Sequence, residues 1–332
     1  MRRFAGAVLA GLGGLLLALA VGLPLFVTPA VAKLPYSLQP CAKGDTTSTN
    51  CLHPSVADAA NAQVVQVNKA GLNFISANLR STTEVIPEIK LTADEQDKGK
   101  LGANAVVWSV YRTIALKSTG EPLRSYSSQL ALDRTTGEAV PWGNSFVDDR
   151  AAARIQTGLI YKFPFGTEKR DYQIYDTTVR AASTAKFQAV EDVNGISTYH
   201  FVQQIPDTTV DAFSDNIPAL IQRFAPAATS AKVTYRNTRE VWVDPVTGAY
   251  MKIRERQHLQ LTGNEGTTQV LLDADFNSTS DTIANNVAAA KDNGSQLKFI
   301  SVYAPVGGAV LGLLLVIVGV LLIRQPVRGS HA

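Results

Sequence analysis

Few side chains in this sequence are set out for covalent chemistry. Before the last residues there are three histidines, His53, His200 and His258, and two cysteines, Cys41 and Cys51. His200 lies in ISTYHFV and His258 in RERQHLQL. Both runs have strand-like residue types, in which an imidazole is expected half exposed on a sheet rather than poised as a base. The chain has no Gly-x-Ser-x-Gly elbow, no His-Glu-x-x-His, no phosphate loop and no dinucleotide glycine fingerprint. A Ser-His-Asp set can assemble from remote positions, but nothing here raises it above background. Asp207, Asp211 and Asp215 have the spacing to stack on one helix face and collect a cation. A solvated helix start is the simpler reading. Asp273 and Asp275 are expected to face solvent from a strand, and TADEQDKGK (92–100) to form a solvated loop. No catalytic residue, cofactor or metal set is expected, so a non-enzymatic role comes first.

Charge patterning sets where such a body must sit. No Asp, Glu, Lys or Arg occurs in the 24 residues Phe4–Val27 or the 25 residues Phe299–Ile323. A helix needs about 20 apolar residues to cross the hydrocarbon layer, so both runs are long enough. The intervening body carries a net charge of −1, and the formal +3 comes from Arg2, Arg3, Arg324 and Arg328. Without a net positive field, nucleic acid is excluded as the default partner. The tail arginines place both ends in the cytoplasm by the positive-inside tendency. The expected layout is a tail (1–3), a span (4–27), an extracytoplasmic domain (28–300), a second span (301–323) and a tail (324–332), in a cell inner membrane. Ala30-Val31-Ala32 also has the form of a signal-peptidase site, so cleavage after Ala32 is the rival to a retained first anchor. Gly11, Gly13, Gly14 and Gly22, with Gly307, Gly308, Gly312 and Gly319, suit close helix approach in lipid, though no strict interface motif is forced. An exported body makes Cys41 and Cys51 a disulfide rather than half a metal site, since no second pair completes four ligands.

The body itself reads as mainly β (α+β): a large antiparallel ectodomain with a few helices. LALDRTTGEAV (130–140) and VWVDPVTGAYMKI (241–253) share an Asp-x-x-Thr-Gly turn, in which the Asp side chain closes the turn and Gly supplies the positive φ that leaves it. Asn194-Gly195 marks a third hairpin and Gly263 with Gly266 a further turn. Strands are expected at 72–79, 105–116, 171–181 and 232–243. Helices are expected at Ser55–Lys69 and Val210–Phe224, the latter kinked or ended by Pro218, and at Ser280–Lys291. GLIYKFPFGTEKRDYQIYDTTV (158–179) is expected to be strand–turn–strand, with Gly166 allowing the turn. Its Phe163, Phe165, Tyr172 and Tyr175 either fill a core or form the lip of an apolar cavity.

That segment, with LDRTTGEAV, VWVDPVTGAYMK and the two spans, resembles the PorA-like porin family of actinobacterial membrane proteins. The similar residues include Lys162-Phe163-Pro164-Phe165-Gly166-Thr167-Glu168-Lys169, Tyr172 and Asp176. The resemblance covers nearly the whole chain and implies a membrane protein, with no catalytic residues to transfer. A membrane barrel has an apolar outer face and no spanning helices, whereas this chain couples two helical spans to a near-neutral body. That layout is similar to scavenger-receptor class B proteins, whose ectodomain carries lipids through a tunnel; the likeness is one of architecture. The leading expectation is a cell-envelope protein whose ectodomain binds or passes on a lipid or glycolipid. The alternatives are an assembly partner of an envelope-synthesis or transport complex, and a porin-like channel.

Overall fold

The computed structural model describes residues 2–324 apart from 36–37, 43, 46–47, 69–70, 149 and 152–157, so that Arg328 lies outside the described residues. The described helices are α1 (Arg2–Gly22), α2 (Thr28–Val31), α3 (Ile89–Asp97), α4 (Ile217–Phe224), α5 (Ser280–Lys298) and α6 (Ala304–Arg324). The strands are β1 (Ser55–Asn68), β2 (Gly71–Pro87), β3 (Ala105–Leu116), β4 (Pro122–Asp133), β5 (Phe146–Val147), β6 (Arg150–Ala151), β7 (Tyr172–Asp176), β8 (Ala181–Val193), β9 (Ile196–Val210), β10 (Ala231–Val243), β11 (Tyr250–Gly263) and β12 (Thr268–Ser278). The chain divides into two units, Met1–Lys33 with Asp292–Ala332, and Leu34–Lys291.

In the first unit α1 and α6 pack antiparallel through glycines seven residues apart. A Cβ added to Gly6 would lie 2.7 Å from the Gly319 carbonyl oxygen, and one added to Gly13 2.5 Å from that of Gly312. Small residues on this spacing let the backbones touch, which is how helices associate where apolar burial gives no net drive. Gly6, beyond the glycines named from the sequence, completes the stripe. Gly11, Gly14, Gly22 and Gly307 meet nothing. Single π-helical turns, Leu23–Val27 and Phe299–Tyr303, interrupt the two helices beside Pro24 and Pro305, where proline removes a donor. Arg2–Val31 and Ser280–Arg324 are continuous helical runs long and apolar enough to cross a membrane.

The second unit is a curled antiparallel sheet in the order β6-β5-β4-β3-β2-β1-β12-β11-β10-β9-β8-β7. Its ends are joined through short pairings. Leu132 of β4 pairs with Ala139, Glu138 with Leu159, and Leu159 with Ile174 of β7. Leu159 donates to the Gln173 carbonyl and accepts from the Tyr175 amide, each at 2.8 Å. The ring therefore closes at that level of the strands, removing free edges there.

Alternation along the strands sets inside from outside. Val233, Tyr235, Asn237, Val241 and Val243 of β10 are buried, and so are Glu255, Gln257, Leu259 and Leu261 of β11. The opposite faces carry exposed or half-exposed ion pairs such as Arg80–Asp58, Arg254–Asp275 and Arg256–Glu240. Outside the two terminal helices, the large apolar side chains exposed among the described residues are Val67, Phe74, Ile89, Tyr111 and Val190. The first part of α5 covers one outer patch, where Ile283, Val287 and Ala290 pack on Val193, Trp242 and Met251.

Several local expectations give way to tertiary context. Ser55–Asn68 is a strand, not a helix, despite its alanines. It lies between β2 and β12, and that pairing overrides helix propensity. Ile89–Asp97 is a helix, not a loop. Thr92 and Glu95 are buried, the Trp142 indole donates to Glu95 at 3.1 Å, and Lys90 pairs with Asp94 one turn on. Asp207 stands on β9, Asp215 in the 3₁₀ turn Ser214–Asn216, and Asp211 between them, so the three share no helix face. Pro218 occupies the first turn of α4 instead of breaking it, where its missing donor costs nothing. Within 158–179 only Tyr172–Asp176 is a strand.

Candidate functional site

The two Asp-x-x-Thr-Gly turns form as expected and have one geometry. Asp133 Oδ1 accepts from the amides of Thr135 and Thr136 at 2.8 Å, and Gly137 leaves at φ 78°. Asp244 accepts from the Val246 and Thr247 amides and the Thr247 hydroxyl, and Gly248 leaves at φ 73°. The segment Lys162–Thr167 lies along both turns. Phe163 donates to the Gly248 carbonyl at 2.9 Å, Gly166 donates to Val246 at 3.2 Å, and the Lys162 stem passes Gly137. A Cβ on Gly248 would overlap the carbonyl oxygens of Phe163 and Pro164. Glycine is needed there for space as well as for φ.

Beside this segment the curled sheet holds an open-mouthed cavity of about 390 Å³, lined in part by Lys162 and Ala249. Apolar wall comes from Trp108, Val110, Ile114, Ile160, Ile174 and Val241, on three strands and the closing segment. The volume is typical of a small-ligand site.

Into this wall is set a charged network. Glu255 accepts from Arg239 Nε at 2.6 Å, Arg112 Nη2 at 2.9 Å and Gln257 at 3.1 Å. Arg239 also donates to Asp176 at 3.0 Å and to Gln203 at 2.8 Å, and Arg112 donates to Ser81 at 2.9 Å. Two guanidinium groups thus face two carboxylates. Burial pushes the Glu255 carboxyl up, but Arg239 and Arg112 outweigh it and hold the pKa at about 2. Burial pulls Arg239 down, but Glu255 and Asp176 more than reverse it. Burial pushes the phenols of Tyr161 and Tyr250 up, Tyr250 to about 12.

Lys162 also lines the cavity, and it is only 9% exposed. Its Nζ stands 3.4 Å from the centre of the Phe165 ring. No hydrogen bond or ion pair reaches it among the described residues. Burial pulls its pKa down to about 7, opposed only by the charge of Asp244.

The aromatic residues singled out in the sequence divide between two environments. Phe163 and Tyr172 are buried in a cluster with Phe201, at ring separations of 4.7–5.7 Å. Phe165 is half-buried against Lys162, and Tyr175 lines the cavity. Cys41 and Cys51 are joined as a disulfide. His53 lies beside it, but both sulfurs are in the bond, so the trio offers no thiolate. His200 stacks on Trp242 at 4.4 Å and contacts Glu191, whereas His258 contacts Asp273; both sit on strands.

Two terminal helices long and apolar enough to cross a membrane, beside a curled, β-rich unit with a cavity, fit the class of membrane proteins. The chain belongs to the Porin PorA family, whose model matches residues 5–321. No curated protein matches the sequence.

Proposed function

We propose that this is a non-enzymatic protein of the cell envelope, anchored in the inner membrane with both termini cytoplasmic. Its β-rich domain, on the extracytoplasmic side, takes an apolar ligand, a lipid or glycolipid, into the cavity. The observation that carries the reading is an apolar-walled interior space of about 390 Å³ inside a sheet whose outer face bears ion pairs. At about 30 Å³ per water-sized group, that space takes on the order of a dozen methylenes. Moving them out of water contributes about 0.8 kcal/mol each before ordering costs. The test is mass spectrometry of lipids extracted from the purified full chain, compared with Ala57→Phe, which fills the cavity from β1. A defined lipid on the wild type and its loss from a folded variant support the reading. Wild-type protein free of lipid, or a variant carrying the same lipid, sinks it.

Family membership favours a second reading, a channel. Conductance in planar bilayers that disappears in Ala57→Phe would support it over lipid carriage.

A further inference from the structure

The cavity holds two kinds of charge. Arg112, Arg239, Glu255 and Asp176 compensate one another through direct contacts. Among the described residues, Lys162 has no such partner. The oxygens of Asp244, the acid that acts on it through space, are engaged by the amides of Val246 and Thr247 and the Thr247 hydroxyl. A cation held in an apolar wall without a counter-ion burdens the folded state, and an apolar side chain of similar length would fill the same space without that cost. The arrangement becomes favourable once a bound anion supplies the missing charge. The size of the cavity limits the rest of that anion's molecule to one chain of about a dozen methylenes.

We propose that Lys162 is the headgroup site of the cavity: the ligand is a single-chain amphiphile ending in an acid, carboxylate or phosphate, whose charge meets the Lys162 ammonium while its chain lies on the apolar wall. This rests on the lipid reading of the cavity given above.

The test uses the full chain in lipid nanodiscs and native mass spectrometry after incubation with dodecanoate, dodecyl phosphate, dodecanol, acetate or inorganic phosphate. Wild type is expected to favour the two long-chain acids over dodecanol by about tenfold or more, as for a charge-assisted hydrogen bond. Lys162→Met should lower the acids to the level of dodecanol without changing dodecanol itself, and Lys162→Arg should keep the acid preference. Equal binding of acids and dodecanol to wild type overturns the headgroup site while the lipid cavity stands. So does a preference that survives Lys162→Met. Acetate or inorganic phosphate binding as well as the long-chain acids makes this a free-anion site and overturns the amphiphile. Binding of none of the five removes the cavity reading as well. The wild-type comparison decides the matter even if Lys162→Met fails to fold.

Discussion

Arg239 and Lys162 both place a cation at the wall of one cavity, in opposite circumstances. Arg239 contacts Glu255, Asp176 and Gln203 at 2.6–3.0 Å, and its partners raise its pKa against the pull of burial. Lys162 rests on an aromatic face, and burial takes its pKa to about 7. The difference shows that depth alone does not fix the state of a buried charge; the contacts of its polar atoms do. A guanidinium divides five donors among several acceptors, whereas an ammonium on a flexible stem is readily neutralised when isolated. One group ties strands together. The other is left with capacity to bind.

The strongest way to break this contrast is to remove the shared arginine. Arg239→Met leaves Glu255 with Arg112, and leaves Asp176 with its own turn amides and the Tyr235 hydroxyl at 3.4 Å. The expected loss is about 3–5 kcal/mol, because a buried carboxylate is left short of a counter-ion; urea unfolding at neutral pH measures it. A smaller effect follows from protonating Glu255. Its pKa is about 2 when folded against the ordinary glutamate value of 4.5, so its contribution is fully present above about 4.5 and is lost as pH falls toward 2. That amounts to about 3 kcal/mol, and Glu255→Gln should flatten this part of the stability profile.

How much of this was legible beforehand depended on the range of the interactions. The two long apolar helices and both Asp-x-x-Thr-Gly turns were readable because hydropathy and turn chemistry act within a few residues. The network was not, since Arg112 and Glu255 lie 143 positions apart and meet only through sheet register. A signal was nevertheless present. Asn237 and Arg239 fall in phase with Val233, Tyr235, Val241 and Val243, and Glu255 and Gln257 in phase with Leu259 and Leu261. Polar residues repeated on the inward phase of a strand point to a polar interior. For the same reason the spacing of Asp207, Asp211 and Asp215 misled: period four matters only on a helix, and Asp207 is on a strand. Lys162 stood inside the segment singled out, but its isolation depends on how Gly137 and Gly248 bring two distant turns against it.

Replacing the isolated amine sharpens the contrast from the other side. Lys162→Met should stabilise the protein at pH 6 by about 1–3 kcal/mol, the range for relieving an uncompensated buried polar group. The sign follows from the depressed pKa: the folded state carries the buried charge at a cost below about 7, and wild-type stability recovers as pH rises from there toward the unfolded lysine value. The advantage of the variant should therefore shrink by pH 9, as measured by thermal unfolding at both pH values. An advantage independent of pH would mean that Lys162 is not electrostatically strained. The smallest effect belongs to a charge pair outside the cavity. Arg254 and Asp275 are a bidentate pair, but their side chains are 34% and 40% exposed. Water screens them, so a double-mutant cycle with alanine should give a coupling of about 1 kcal/mol or less. A coupling as large as the loss in Arg239→Met would show that contact geometry alone, without burial, sets the strength of these ion pairs.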